Sequence, residues 1–428
     1  MTRRIPFACS GRRSFLARVG LWGSALAGVS AFGRTAPSAG SSAALRVEGR
    51  IGLLLPSPTV CRGRDASLLA GFQLALDQAR AQGGDIRLEL VRATTRLSPL
   101  AYRKSAESLL ANDAADLVIA LAQPALASAM APAFEAASLC LLAVDGGANL
   151  VRAEEKSRHV FYNTLGQWES AWALGQWAAR TFPGDGFMVV SAFEAGHDSL
   201  RAFRLGVLSS GSGEKGFLVP RMPLHEATNG LSPEAYVELI QRTGPAYVVA
   251  LLGGVEGMEF LRAFQQAGLT GRIPLIGSAV LAEDALAAGL GEALAGFTTV
   301  SGWSSTLETP GCRAFLAEYR KSAGREADAF AALGYDTGRL LLAALQDGGG
   351  HARFAREALE RVAWDGPGGK RSMDFTSHTV QGDVHIIQYN GSRPYVLHSE
   401  RGVGNQAQEV NEILRSHRAA LVNPYPVY

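Results

Sequence analysis

The sequence predicts an α/β protein built from two doubly wound, Rossmann-like lobes. Three observations carry this. Short apolar runs alternate with amphipathic helical patterns almost from end to end. The runs are apolar throughout rather than at every second residue, as in parallel sheets covered on both faces. The alternation also comes as two successive series, in a chain of 428 residues that exceeds one ordinary hydrophobic core.

The first series opens with a strand at 50–55. A helix at 67–82 follows, with Leu68, Leu69, Phe72, Leu76 and Ala79 on one face, and Gly83-Gly84 ends it. A strand is expected at 86–92. Ser98-Pro99 is an N-cap and first-turn pair that opens a helix to about residue 112. Next come a strand at 116–121, a helix at 125–137 and a strand at 139–144. Pro132 is expected to kink that helix or mark a loose turn. The second series gives helices at 167–180, 198–209, 232–242 and 256–267. Its strands fall at 187–193, 217–223, 247–252 and 273–277. Region 297–390 adds a strand, three helices and two more strands. Residues 401–428 read as a helix followed by a surface strap, NPYPVY.

The N-terminal 43 residues read as an export signal. Arg12 and Arg13 are paired, and a weakly apolar stretch runs from Val19 to Phe32. The pattern resembles a twin-arginine (Tat-like) signal. The stretch falls short of the roughly 20 apolar residues a bilayer core requires. Ser41 and Ala43 suit cleavage near Ala43. The whole chain has 41 basic and 39 acidic residues, net +2, and the first 43 hold six Arg and no acid. The mature part therefore has 35 basic against 39 acidic residues, net −4. That balance offers no electrostatic footprint for nucleic acid or an anionic membrane.

Chemistry-bearing motifs are sparse. Cys9 leaves with the signal, so Cys61, Cys140 and Cys312 remain, an odd number that cannot all pair within the chain. Cys140 sits in an apolar run and reads as a small buried hydrophobe. No Cys/His spacing suggests a metal, and no dinucleotide fingerprint is present, so no cofactor is expected. GPGGK (366–370) is too short for a phosphate loop. His197-Asp198 has no placed nucleophile. These readings argue against an enzyme.

Four stretches carry a family resemblance: 51–84 (IGLLLPSPTV…), 115–144 (ADLVIALAQP…), 242–277 (RTGPAYVVAL…) and 315–345 (FLAEYRKSAG…). In this order they resemble the type I periplasmic binding proteins of the branched-chain amino-acid/amide group, over about residues 48–400. The resemblance implies a clamshell with three crossing strands, with lobe I at 45–162 plus 301–377 and lobe II at 163–300 plus 378–400. It implies a monomer that captures a small organic ligand between the lobes and delivers it to an ABC permease. A clamshell that senses its ligand for a receptor is the alternative.

Ligands of doubly wound sheets bind beyond the carboxyl ends of the strands. The loops there hold Ser57, Thr59, Cys61 and Arg62; Gln123; Asp145 and Gly146; Gln167 and Trp168; Glu194 and His197; Glu256; and Ser278. Trp168 could form a stacking wall, and Trp303 could be core or pocket. The resemblance implies hydroxyls in the lobe I loops for a substrate carboxylate and a lobe II acid for its ammonium. Ala122-Gln123-Pro124 lacks the hydroxyls, Asp145 brings a negative charge, and Ser278-Ala279 lacks the acid. An unpaired buried charge is costly, so leucine, isoleucine and valine are disfavoured. Asp145 could equally cap a turn at Gly146-Gly147.

Overall fold

The computed structural model describes residues 45–58, 63–151, 156–190, 198–210, 217–218 and 232–401. The export signal and the C-terminal strap expected from the sequence lie outside these residues, as do Thr59, Cys61, Arg62, Glu194 and His197.

The first sheet has five strands: β1 (Arg46–Pro56), β2 (Asp85–Thr95), β3 (Leu117–Leu121), β4 (Cys140–Asp145) and β5 (Val160–Thr164). They run in the order β2-β1-β3-β4-β5, all parallel. Helices α1 (Arg64–Ala81), α2 (Pro99–Ala111) and α3 (Pro124–Ala137) join them. Ser98 caps α2 by accepting the Ala101 N–H at 3.2 Å, as its sequence position implies. Pro132 does not break α3, which continues through it to Ala137.

The chain then crosses through Leu165 and Gly166 into α4 (Gln167–Thr181). The second sheet repeats the first sheet's order. Strands β6 (Gly186–Val190), β7 (Phe217–Leu218), β8 (Tyr247–Leu251), β9 (Leu275–Gly277) and β10 (Thr298–Ser301) lie as β7-β6-β8-β9-β10, again parallel. Between them lie α5 (Ser199–Ser209), α6 (Pro233–Thr243), α7 (Gly254–Gln266) and α8 (Ala279–Ala287). Continuous apolar strands such as YVVAL, buried at all five positions, need a helical layer on each face.

After β10 the chain returns at Gly302 to the first lobe. There it adds α9 (Pro310–Ala323), α10 (Ala329–Asp347), α11 (Arg356–Leu359) and a small antiparallel sheet of β11 (Ala363–Gly366), β12 (Gly369–Met373) and β13 (Val380–Gly382). A third connection at Asp383 leads to β14 (Val384–Asn390) and β15 (Arg393–Glu400), antiparallel on the edge of the second sheet. The sequence pattern foresaw two strands within 297–390 after the first one. Four are present, because the short strands β11 to β13 have exposed alternate residues and no apolar run.

One residue sits where the three connections meet. Arg371 on β12 is 8% exposed. Its Nη2 donates to the Gly302 carbonyl of the second connection at 2.8 Å. Its side chain lies against Gly382 at the start of the third. Asp336 of α10 faces its Nε at 3.7 Å, and Asp336 Oδ1 accepts the Trp364 Nε1–H at 3.1 Å. Burial pushes the Asp336 carboxyl upward, opposed by Arg371 and the Trp364 hydrogen bond. The glycines of the GPGGK segment answer to this cluster. A Cβ on Gly366 would collide with the Asp336 carboxylate, and one on Gly368 with the Gly302 carbonyl.

Each lobe also has a helix pair whose backbones touch through glycine. Gly71 of α1 and Gly334 of α10 each face a carbonyl of the other helix, at Ala331 and Leu68. Gly175 of α4 and Gly206 of α5 do the same against Phe203 and Trp172. Side chains there would force the helices apart in a close-packed core. Cys140 and Cys312 are free thiols, both buried. Gly206→Ala and Gly334→Ala are each expected to lower stability by about 1–3 kcal/mol. Urea unfolding checks this, as a lower midpoint with unchanged slope. Gly311→Ala, whose Cβ would meet nothing closer than 3.7 Å, serves as the neutral control.

Candidate ligand-binding cleft

A cleft opens where the sheet topology places one, beyond the carboxyl ends of β8, β9 and β10. Its wall takes Leu251, Gly277 and Val300 from those strand ends. Gln167, Ser170, Ala171 and Leu174 come from α4, Ser199 from α5, and Ala279, Val280 and Glu283 from α8. The first lobe contributes Ala329 and Phe330 at the start of α10. The cavity between the walls is about 50 Å³, well below the roughly 300–1,000 Å³ of small-molecule sites, so the walls stand close together.

The wall is apolar with a few hydroxyl, amide and acid groups. Ser170 is 5% exposed and its Oγ has no hydrogen-bond partner among the described residues. A buried hydroxyl left unpaired is costly, so Ser170 is available to a guest. Ser278 is already engaged: its Oγ donates to the Leu252 carbonyl at 3.1 Å and accepts the Leu281 N–H at 3.3 Å. Phe330 is held by the Arg64 guanidinium, 5.3 Å from its ring centroid. The described wall has no Lys or Arg.

Of the residues expected from sequence, this wall brings together Gln167 and Ser278. The others lie elsewhere. Gln123 is 2% exposed, and its Oε1 accepts Asn149 Nδ2 at 3.1 Å. Asp145 is 4% exposed and its Oδ1 accepts the Gly147 N–H at 3.0 Å, the turn-capping geometry weighed for it. Gly146 and Gly147 give their carbonyls to the N–H groups of Gln167 and Trp168, at 3.1 and 2.9 Å. The loop after β4 thus ties down the start of α4. The Trp168 side chain is not a cleft wall. It is 1% exposed and packs with Trp172 in the core beneath the second sheet, because positions four apart on α4 share its sheet-facing side. Glu256 is exposed in the first turn of α7, outside this wall. Ser57 N–H donates to the Thr95 carbonyl at 3.0 Å, outside this wall. Trp303 packs against Phe315 in the first lobe's core.

The sequence reading missed Ser170, Ser199, Glu283, Ser301 and Phe330. A signal existed for Ser170. Positions 167, 170, 171 and 174 (Gln, Ser, Ala, Leu) form an i, i+3, i+4, i+7 stripe on α4 that opens polar and ends apolar.

The geometry is that of a doubly lobed binder, and the comparisons agree. The family model "Periplasmic binding protein" matches residues 48–393. The chain belongs to that family. A curated relative, the "Leu/Ile/Val-binding protein homolog 6" of Brucella melitensis, is 24% identical over 358 residues, covering 82% of this chain and 89% of that protein. A substrate-binding protein of an ABC transporter from Sphaerobacter thermophilus matches with a TM-score of 0.71 at 21% identity, covering 83% of this chain and 98% of that one. A solute-binding protein from Rhodopseudomonas palustris, solved with 3,4-dihydroxybenzoic acid, matches with a TM-score of 0.70 at 20% identity, covering 84% and 99%. At these identities the structures establish the fold of this family member, a two-lobed α/β periplasmic binding protein.

Glu169, between Gln167 and Ser170, gives the cleft's edge a pH signature. Its carboxyl is pushed up to about 7, chiefly by burial, with Arg371 pulling the other way. The folded state therefore keeps a proton that the unfolded state releases near its ordinary value of 4.5. Stability conferred by that proton is present below 4.5 and is lost as pH rises through about 7. Glu169→Gln is expected to raise the melting temperature relative to the parent above pH 7 and to change it little near pH 4. Melting curves across pH 4–8.5 check this.

Proposed function

We propose that this chain is the extracytoplasmic solute-binding protein of an ABC uptake transporter, holding a small organic ligand between its lobes for an inner-membrane permease. The observation that carries the reading is the cleft at the carboxyl edges of the second sheet, roofed by Phe330 from the first lobe. A guest there touches both lobes, so binding favours closure by its differential contacts. The described wall holds no His, Cys or Lys, and no group of metal-binding side chains is found among the described residues.

The ligand we infer is compact, with an apolar body and a few hydroxyl or carbonyl groups. Leu165, Leu174, Leu251, Val280, Val300 and Phe330 match the body, and Ser170 and Gln167 match the polar groups. The relatives' names point to two classes, branched-chain amino acids and hydroxylated benzoates. The acid Glu283 in the wall and the absence of Lys and Arg from the described wall favour a guest without a strongly anionic head. A thermal-shift panel of leucine, isoleucine, valine, benzoates, aromatic amides and polyols tests this. A ligand at 100 times its dissociation constant stabilises by about 2.7 kcal/mol. The largest shift is expected from an aromatic or amide compound, and Phe330→Ala is expected to weaken that hit at least tenfold by calorimetry. A largest shift from leucine, isoleucine or valine overturns the ligand assignment.

For export we propose the twin-arginine route, supported by Arg12-Arg13 ahead of a short, weakly apolar stretch. Replacing both arginines by lysine is expected to hold the precursor in the cytoplasm. An unchanged periplasmic level on fractionation sinks that route.

A further inference from the structure

The loop after β4 crosses from the first lobe to meet the second at three points beside the cleft. The Asp198 N–H donates to the Ala148 carbonyl at 3.2 Å. The Leu150 N–H donates to Asp198 Oδ2, also at 3.2 Å. Ala148 and Val280 of α8 bury each other, at 1% and 7% exposure. On its other side the loop is braced by the bond from Asn149 to Gln123.

Asp198 is the N-cap of α5, where an aspartate ordinarily accepts an N–H from its own helix. It makes no such bond, and its backbone (φ −78°, ψ 0°) departs from the extended form of an N-cap. The carboxylate is turned across the cleft instead. Its neighbours in space belong to the site: Ser199 follows it in the chain and Val280 is its partner loop's contact, and both line the cleft.

We propose that Asp198 is the latch that holds the two lobes together, a positioning residue that sets how readily the cleft opens. The proposal rests on the two-lobe binding reading for its purpose, and its test needs no ligand. Opening must break both hydrogen bonds to the loop and expose the Ala148–Val280 contact. The bond from Leu150 is charge-assisted, the stronger kind.

Two measurements on the ligand-free mature protein test it. The first is amide hydrogen exchange across 146–151. The second is the interlobe distance between spin labels on exposed positions, one replacing Lys104 on α2 and one replacing Arg262 on α7. Asp198→Ala is expected to speed exchange at Leu150 about tenfold or more and to move the distance distribution to longer values. Asp198→Asn, which keeps an acceptor without the charge, is expected to fall between. Amides of β1, β3 and β4 are expected to stay as protected as in the parent. Unchanged exchange at Leu150 and unchanged distances in Asp198→Ala overturn the proposal. So does a lowered melting temperature with unchanged distances, which makes Asp198 only a helix-end residue. If Asp198→Ala opens the lobes yet no compound of the panel binds, the latch stands and the transport reading falls.

Discussion

The structure depends on one buried charge. Arg371 sits where all three connections between the lobes converge, and a guanidinium there has lost most of its water. Such a charge is tolerable only with partners. Asp336 supplies an opposite charge, and Gly302 supplies a carbonyl. Removing one partner of a buried pair typically costs about 3–5 kcal/mol, because the other is left unpaired. The pair is also central to the binding geometry. Gly302 directly follows Ser301 of the cleft wall, and the Leu165 carbonyl, two residues before Gln167, lies against Gly302. The Arg371 cluster therefore fixes the line about which the walls can move.

This cluster explains a segment that resisted interpretation from sequence. GPGGK is a β-turn between β11 and β12, and its glycines exist because the Asp336 carboxylate and the Gly302 carbonyl occupy the space a side chain would need. The same economy of space recurs in the glycine-mediated helix pairs α1–α10 and α4–α5. In each lobe the paired helices include the one whose first turn reaches the cleft: α10 carries Phe330, and α4 carries Gln167 and Ser170. Close packing directly behind the wall thus sets where the wall stands.

The fold was legible because its signals are local. Continuous apolar strands, amphipathic helices and caps such as Ser98-Pro99 can each be read within a few residues, and their repetition gives the two sheets. The cleft was legible only as a set of loops. Ser278 follows β9 directly and Gln167 opens α4 with two residues between it and β5, so the topology places them. Asp145 and Gln123 stand in loops of the right kind, but their side chains turn to Gly147 and Asn149, and no local pattern says which way a loop residue faces. Trp168 shows the opposite difficulty. Its size invited a role in stacking, but helix register decided, and one step along α4 separates the cleft-facing Gln167 from the core-facing indole. Phe330 comes from the first lobe and meets wall residues that lie between 29 (Ser301) and 165 (Leu165) positions before it, contacts no short sequence window contains.

The electrostatics of the cleft follow from which donors are already spent. Four helices, α4, α5, α8 and α10, begin at its wall, and helix N-termini taken alone favour anions. Here much of that field is answered from within. The first N–H groups of α4 go to the Gly146 and Gly147 carbonyls. Asp328 caps α10 by accepting the Ala331 N–H at 2.7 Å and brings its own negative charge to that terminus. Asp198 brings a negative charge to the start of α5 without capping it, and Ser278 takes the Leu281 N–H of α8. With Glu283 in the wall and no Lys or Arg among the described lining residues, the cleft is closer to neutral than its helix geometry implies. What it retains is shape, an aromatic face and the unpaired hydroxyl of Ser170. Discrimination among guests therefore falls to fit and to one or two directed hydrogen bonds, since a polar atom left unmatched inside so tight a space costs more than a matched one gains.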